Sequence, residues 1–430
     1  MATFYDYIKK RESVYRSWQH VRSSAKHSSN ESTIKHLQQI EDHLPSVVQG
    51  ISHRLALKKY KFSEADGILK DKRKREREGK NPRPIVVSLL KDRIVQRVIL
   101  DSLQPKESDH RFQFLGRIKD VNHSDYSIGG TQGGGFEVGI LRLMSLINDG
   151  YNYFYKSDIA SFFTMIPHSK VIDFIRNETN DDLIADLFSK AIKVEIANKD
   201  ELGKYLDLFP HSGVGFAQGS SLSAFAGNIL LNDFDVLMNS DKVKMLRYVD
   251  DLIIMGRSNE DVQKAKSLAK SHLRQFGMEL YPPGKDKKKA DEGHIRNGLM
   301  HLGCIINNGQ VEPDKDARVR IIDKINNVIS DAKRDINSLS PDDARRPKRQ
   351  QAYYQSLVKI DQKIHAWGTS YSFVNNRLPF NQIDKEIDGI IALYEQWFFG
   401  KLMRADRKKK RRLQGITLLQ DMPPSPRAKF

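Results

Sequence analysis

"MLRYVDDLIIMG", residues 245–256, is the stretch on which the fold turns. Apolar residues flank it on both sides as in a β-strand, yet Asp250 and Asp251 stand at its centre. Strands avoid aspartate, and adjacent like charges repel. Two readings follow. The pair faces water at the tip of a surface hairpin, or the strand turns there to hold a cation. A second stretch, "YNYFYKSDIASFF" at 151–163, reads as a strand of alternating aromatics that delivers Asp158. If the two strands are neighbours in one sheet, three carboxylates converge, and such a cluster needs cations. Hard oxygen ligands suit Mg²⁺, which keeps waters and shares substrate phosphates. Two such ions, about 3.5–4 Å apart, activate a 3′-hydroxyl and stabilise leaving pyrophosphate.

Composition narrows the field. A chain of 430 residues exceeds one ordinary domain, so two or three packed subdomains are expected. Lys and Arg total 71 against 54 Asp and Glu, a net charge of +17. A fold does not need that excess, which points first to nucleic acid and second to an anionic membrane surface. Cys304 is the sole cysteine, which excludes an intrachain disulfide and a thiolate zinc site. The charged opening residues lack the apolar segment of a secretory signal, and no apolar run is long enough to span a bilayer. A cytoplasmic protein without a membrane partner is expected.

Along the chain, residues 1–50 read as mixed helical segments. "KKYKFSEADGILKDKRKREREGKNPR", 58–83, is either a solvated helix followed by a loop or a basic flap facing phosphates. "RPIVVSLLKDRIVQRVILDSLQP", 83–105, gives a short strand, Ile85 to Val87, and then an amphipathic helix. The glycine-rich "SIGGTQGGGFEVGILRLMSLI", 127–147, is a tight turn before a helix and matches neither the Walker nor the dinucleotide pattern. "MHLGCIINNGQVEP" looks like a hairpin, and 315–400 is mostly helical.

Several segments, in order, carry a family resemblance. "DIASFF" (158–163), "AQGSSLS" (217–223) and "YVDD" (248–251) resemble the A, B and C motifs of reverse transcriptases. "NPRPIVV…KDRIVQRVIL" resembles the fingers motif of bacterial and group II intron-like enzymes, and "SIGG" sits where those enzymes carry Ser-x-Gly. "LYPPGKDK" and "HLGCII" occupy the places of the lysine motif and the primer grip. The resemblance covers roughly residues 55–310. It implies an α+β right-hand polymerase. The expected order is an N-terminal helical extension (1–50), fingers (51–156), a palm with an antiparallel sheet (157–310), a helical thumb (311–400) and a basic tail (401–430).

Residue roles follow from the same resemblance. Asp158 and Asp250 would ligand two Mg²⁺ ions, or Mn²⁺ in their place, with the Ile159 carbonyl; Asp251 would be a weaker carboxylate. Phe163 stands where the family has an aromatic gate against the ribose 2′-hydroxyl. Gln218 and Gly219 would lie along the incoming dNTP, where glycine permits close approach, and Ser223 would support that loop. Arg83 could bind the triphosphate through its fork of donors, with help from Lys72, Lys74 or Lys80. Lys285 would give a proton to pyrophosphate, although Lys287 to Lys289 blur that choice and "LYPPGK" is one residue longer than the usual form. Tyr248, Leu302 and Gly303 would hold the primer. RNA would be gripped by Lys72, Arg73, Lys74 and Arg75, and by Arg407, Lys408, Lys409, Lys410, Arg411 and Arg412. For the last cluster a solvated tail is the alternative.

The chain departs from the pattern in places. Ser220 replaces the proline that often follows Gln-Gly, and the Asn-Ala-x-x-His and Val-Thr-Gly signatures of retron enzymes are missing from the sequence. Residues 401–430 read as no His-Asn-His endonuclease, integrase or RNase H segment, so a mobile element carrying its own nuclease is not expected. The chain is therefore similar to the stand-alone bacterial "unknown group" of reverse transcriptases, relatives of group II intron-like and retron enzymes, many of them defence-associated. Such enzymes commonly copy a cognate non-coding RNA into cDNA, so an anti-phage role is implied. The rival readings are an RNA-binding scaffold with an inactive palm and a template-independent or protein-primed DNA polymerase. "HAWGTSYSFVNNRLPF", 365–380, is either a stacking surface for nucleic acid or packed thumb aromatics, and Trp367 and Trp397 read as core.

Overall fold

Helices with one apolar face open the chain: α1 (Phe4–Ile8), α2 (Arg11–Ala25), α3 (Glu31–Asp42) and α4 (Leu44–Ala56). They belong to a computed structural model that describes residues 3–28, 30–210, 213–284, 286–339 and 351–422. Side-chain caps at Thr3 and Asn30 start α1 and α3, and Trp18 and Leu55 are buried beneath the group.

Residues 58–83 do not form one solvated helix. Strand β1 (Asp66–Lys70), helix α5 (Lys72–Arg77) and strand β2 (Arg83–Val87) make an antiparallel hairpin with Asp66 opposite Val87 and Lys70 opposite Arg83. Helix propensity wins only in "KRKRER", the six residues of α5. β1 exists because β2 pairs with it and because Ala65 and Val86 pack with Leu202 and Phe209. Those partners are distant in sequence, so local pattern cannot reveal the strand. Gly67 is needed there, since a Cβ would lie 2.6 Å from the Leu202 side chain. Helices α6 (Leu90–Leu103), α7 (Ile118–Asn122) and α8 (Phe136–Asn148) follow.

The central sheet is built from β3 (Tyr153–Ala160), β4 (Val243–Tyr248), β5 (Asp251–Gly256), β6 (Glu279–Leu280) and β7 (Ala290–His294). Its order is β4-β5-β3-β6, with β7 also pairing β3, and every pairing is antiparallel. Between these strands run α9 (His168–Thr179), α10 (Asp182–Ile192), α11 (Lys199–Leu202), α12 (Ser223–Leu237) and α13 (Asn259–Arg274). Leu252 to Met255 on β5 and Phe154 to Ser157 on β3 are all buried. Strands covered on both faces read as continuous apolar runs, which is why a polar residue within them stands out.

The chain divides into two compact units after His294, inside the 157–310 span expected as palm. The second unit opens with a meander of β8 (Leu299–His301), β9 (Cys304–Asn307) and β10 (Gln310–Pro313). Its two turns, Leu302-Gly303 and Asn308-Gly309, have positive φ at both positions, the I′ geometry that matches strand twist. Helices α14 (Lys315–Asn337), α15 (Ala352–Ser370), α16 (Leu378–Arg404) and α17 (Arg407–Leu413) complete it around Ile325, Tyr353, Tyr394 and Phe398. Trp367 packs against Tyr371 and Phe380, while Asn375 accepts from the Val311 backbone at 2.7 Å. Trp367, Tyr371 and Phe380 thus pack on one another, with Tyr371 buried and Trp367 and Phe380 half-buried. Beyond α16 the chain folds back rather than trailing off: Leu413 is buried, and Arg412 makes a bidentate pair with Asp421 at 2.6 and 2.8 Å. Among the described residues no helix is long and apolar enough to cross a membrane.

Candidate active site

Tyr248 and Asp251 face each other across β4 and β5, so Val249 and Asp250 form a two-residue turn. Val249 has φ +60°. Positive φ at the first turn position is the place of glycine, and a β-branched residue there costs about 1–3 kcal/mol. The surroundings hold it. Arg247, fully buried, donates from Nη1 to the Val249 carbonyl at 2.8 Å. The same guanidinium binds the Asp235 carboxylate at 2.8 and 2.5 Å and Asn228 Oδ1 at 3.1 Å. Asn228 in turn donates to the Gly129 carbonyl at 2.8 Å and accepts from Ser127 at 2.9 Å. A Cβ on Gly129 would lie 2.6 Å from the Val249 nitrogen. "SIGG" is thus the floor beneath the aspartate turn, and its glycine is a close-approach residue. Sequence reasoning missed Arg247, Asp235 and Asn228. The signal was an arginine inside an apolar strand, which demands a buried carboxylate.

Across the sheet, Asp158 is the register partner of Asp251, and the Ile159 amide donates to the Asp250 carbonyl at 2.7 Å. Burial and then the Asp250 charge push the Asp158 carboxyl up to about 6, against Lys289 and Lys156. Burial and then Asp158 push the Asp251 carboxyl up to about 8. Burial also raises Asp250, with Arg83 and Arg247 opposing. Lys156 was not anticipated. It is buried, shares a strand face with Asp158, and its ammonium is pushed down by burial against the pull of Asp251, Asp291 and Asp158.

A cleft of about 370 Å³ gathers Asp158, Ile159, Asp250, Phe163, Gln218, Arg83 and Arg75. Phe162 is the core ring, lying over Gly227 of α12, and Phe163 beside it is the more exposed one. Ser223 is buried behind the Gln218 loop, its hydroxyl donating to the Ala217 carbonyl at 2.7 Å. Gly219, at φ +109°, faces a separate groove with Arg93 and Arg97. Lys72, Arg73 and Lys74 are exposed on α5, Arg75 donates to the Asn81 carbonyl at 2.6 Å, and Lys80 pairs with Glu78. Tyr248 is half-buried at the aspartate turn, whereas Leu302 and Gly303 form a turn of the second unit. Lys285 lies outside the described residues. Lys289, from the same run, lines the cleft, and its carbonyl accepts from the Asp158 amide at 3.0 Å. Arg407, Lys408, Lys409 and Lys410 are exposed on α17; Arg411 donates to the Thr417 carbonyl and Arg412 is held by Asp421.

Among the described residues no three His, Cys, Asp or Glu side chains close round one point. The donors at the cleft are carboxylates. A hard cation that keeps its waters and shares substrate phosphates needs no complete protein cage. The donor set fits such an ion.

A family model described as reverse transcriptase (RNA-dependent DNA polymerase) matches residues 70–288, just over half of the chain. Protein YkfC of Escherichia coli (strain K12) is 25% identical over 197 residues, 44% of this chain and 44% of that protein, so the match spans under half the length of this curated relative. Among solved structures, apo telomerase from Candida tropicalis is 15% identical, with 84% of this chain and 70% of that one covered at a TM-score of 0.42. A partial Cas6-RT-Cas1–Cas2 complex is 21% identical, covering 64% and 41%, at 0.37.

Two outcomes are expected from this geometry. Asp235→Ala strands the Arg247 charge in the core and should cost about 3–5 kcal/mol in urea unfolding. The second concerns pH. Asp158 and Asp251 bind protons more tightly folded than unfolded, so they favour the fold below about pH 4 and cost stability as pH rises through about 6 and 8. Without divalent ions the melting temperature should fall over that window, and Mg²⁺ should offset the fall in the wild type but not in Asp158→Asn.

Proposed function

The chain belongs to the reverse transcriptase (RNA-dependent DNA polymerase) family, and from that premise we propose that it extends a primer with dNTPs along an RNA template to make cDNA. The observation that carries this reading is the cleft, where Asp158, Asp250, Phe163, Gln218 and Arg83 come together from separate segments.

Asp158 and Asp250, with the Ile159 carbonyl, would hold two Mg²⁺ ions, or Mn²⁺ in their place. When bound, the pair supplies activation of the 3′-hydroxyl and charge neutralisation on the leaving pyrophosphate. Asp251 would support Asp158 from the neighbouring strand. Arg83 would orient the triphosphate through paired N–H donors, and Gln218 would lie along the nucleotide, with Gly219 and Ser223 shaping its loop. The Phe163 ring would exclude a 2′-hydroxyl. Lys285 would protonate pyrophosphate, with Lys289 keeping a positive charge at the cleft wall. Lys72, Arg73, Lys74 and Arg75 would meet RNA phosphates, as would Arg407 to Arg412, a rise in affinity that salt should weaken. Tyr248, Leu302 and Gly303 would hold the primer.

The finer reading is a stand-alone bacterial enzyme of the defence-associated kind, copying a cognate non-coding RNA in the cytoplasm. The missing retron signatures and the high positive charge support it. Purification from a host carrying the flanking locus, followed by sequencing of bound RNA and DNA, tests it. One discrete RNA with complementary cDNA, the cDNA lost in Asp250→Asn, is the expected result. RNA without cDNA, even during phage infection, would favour the scaffold reading. Separately, Phe163→Ala should raise rNTP use relative to dNTP; unchanged sugar selection would remove Phe163 from the gate role.

A further inference from the structure

A second cleft, of about 680 Å³, lies beside the chain that leaves α4 and enters β1, with the end of α10 as its other wall. Lys58, Lys59, Lys61, Lys190 and Lys193 line it, and Glu195 is the one carboxylate among its described lining residues. Helix ends explain part of this. α4 stops at Ala56 and α10 at Ile192, and each C-terminus carries about half a negative charge that welcomes a lysine. Five ammonium groups against one carboxylate and two half-charges still leave an excess of about three positive charges.

Two further features go beyond helix capping. Lys58 has φ +58° and occupies the position after the C-cap of α4, where the Lys59 amide bonds the Arg54 carbonyl at 2.9 Å. Glycine is the usual residue in that closing turn, so a lysine is held where the backbone favours none. Phe62 stands half-buried in the same cleft, edge-on to Tyr60 at 5.1 Å, while the Tyr60 hydroxyl is tied to Asp92 at 2.8 Å. Tyr60 is thereby fixed as floor, and Phe62 remains as an apolar face among ammonium groups. Phosphate-binding lysines around one aromatic face are the chemistry of single-stranded nucleic acid, with the backbone held by charge and a base by stacking.

We infer that this lysine cleft binds a single-stranded segment of the template RNA outside the polymerase cleft. The inference rests on the proposed RNA-templated activity for the identity of the strand. The site shares no lining residue with the aspartate cleft. It leads straight into β1, the partner of the strand that carries Arg83. The segment 58–63 is thereby joined through β1 to the hairpin whose second strand supplies Arg83 to the reaction cleft.

The test uses the full chain and a labelled single-stranded RNA, with affinity followed by anisotropy across a salt series. The variant is the triple Lys58→Gln, Lys61→Gln, Lys193→Gln, checked for an unchanged melting temperature. Losing three phosphate contacts should make the slope of log K against log salt shallower by about 2 and weaken binding by roughly tenfold or more at about 0.1 M salt. Phe62→Leu should weaken single-stranded RNA binding while leaving the slope unchanged. Extension of a short primer–template with no long single-stranded overhang should be the same in the triple variant and the wild type. Wild-type slope and affinity in the triple variant would overturn the inference, and so would equal loss on the short duplex, which would assign these lysines to the reaction cleft. A wild type that binds RNA with the lysine-dependent slope but extends no primer would sink the polymerase reading and leave the RNA site standing.

Discussion

Asp158 and Asp251 are register partners on adjacent central strands, with Asp250 at the turn beside them. Like charges directly opposed in a sheet are destabilising; burial and then Asp250 push the Asp158 carboxyl up to about 6, and burial and then Asp158 push the Asp251 carboxyl up to about 8, so Asp251 holds its proton near neutral pH. The rest of the first unit is arranged around that cost. β3 and β5 are otherwise mostly apolar, and Phe154 to Ser157 and Leu252 to Met255 are buried, so packing keeps the register in place. Lys156 supplies a partial counter-charge from within the sheet. A divalent cation would supply the remainder, which ties the resting instability of the site to its chemistry.

A second constraint is the turn itself. Val249 is held at a φ that suits glycine, and the stabilising bonds come from three directions. Arg247 reaches the Val249 carbonyl, Asp235 and Asn228 anchor Arg247 from α12, and Gly129 closes the space below. A buried pair of this kind is weak evidence for net stability. Its effect here is geometric: Arg247 joins α12, which follows the Gln218 loop, to the aspartate turn. The Gln218 loop and the aspartate turn are therefore tied to one another through α12.

Much of this was legible in the residues, and the reasons differ from element to element. The paired aspartates, the aromatic strand ending near Asp158 and the Gln-Gly loop are local motifs, so they could be found in order along the chain, and Asp158, Asp250 and Gln218 line one cleft. The right-hand class followed from that order. The β1 strand could not be read, because "DGILK" is strand only through β2 and the Leu202–Phe209 cluster. The Arg247 network was hidden for the same reason: its members come from α12, β4 and the "SIGG" turn. Residues 365–380 had balanced readings, because the bonds that anchor Asn375 and Asn376 to β10 join segments distant in sequence. For the 401–412 cluster charge dominates, so an RNA grip and a solvated tail were the two readings of the sequence; buried Leu413 and the Asp421 partner bring it back onto the fold.

The claim at the centre is that Asp158 and Asp250 together run a templated DNA polymerisation. The most direct measurement is extension of a DNA primer annealed to an RNA template, with dNTPs and Mg²⁺, by the wild type, Asp158→Asn and Asp250→Asn, each verified as folded. The account predicts full-length product from the wild type and none above background from either variant. Product from either variant, or no product from a folded wild type on any RNA template supplied, would contradict it.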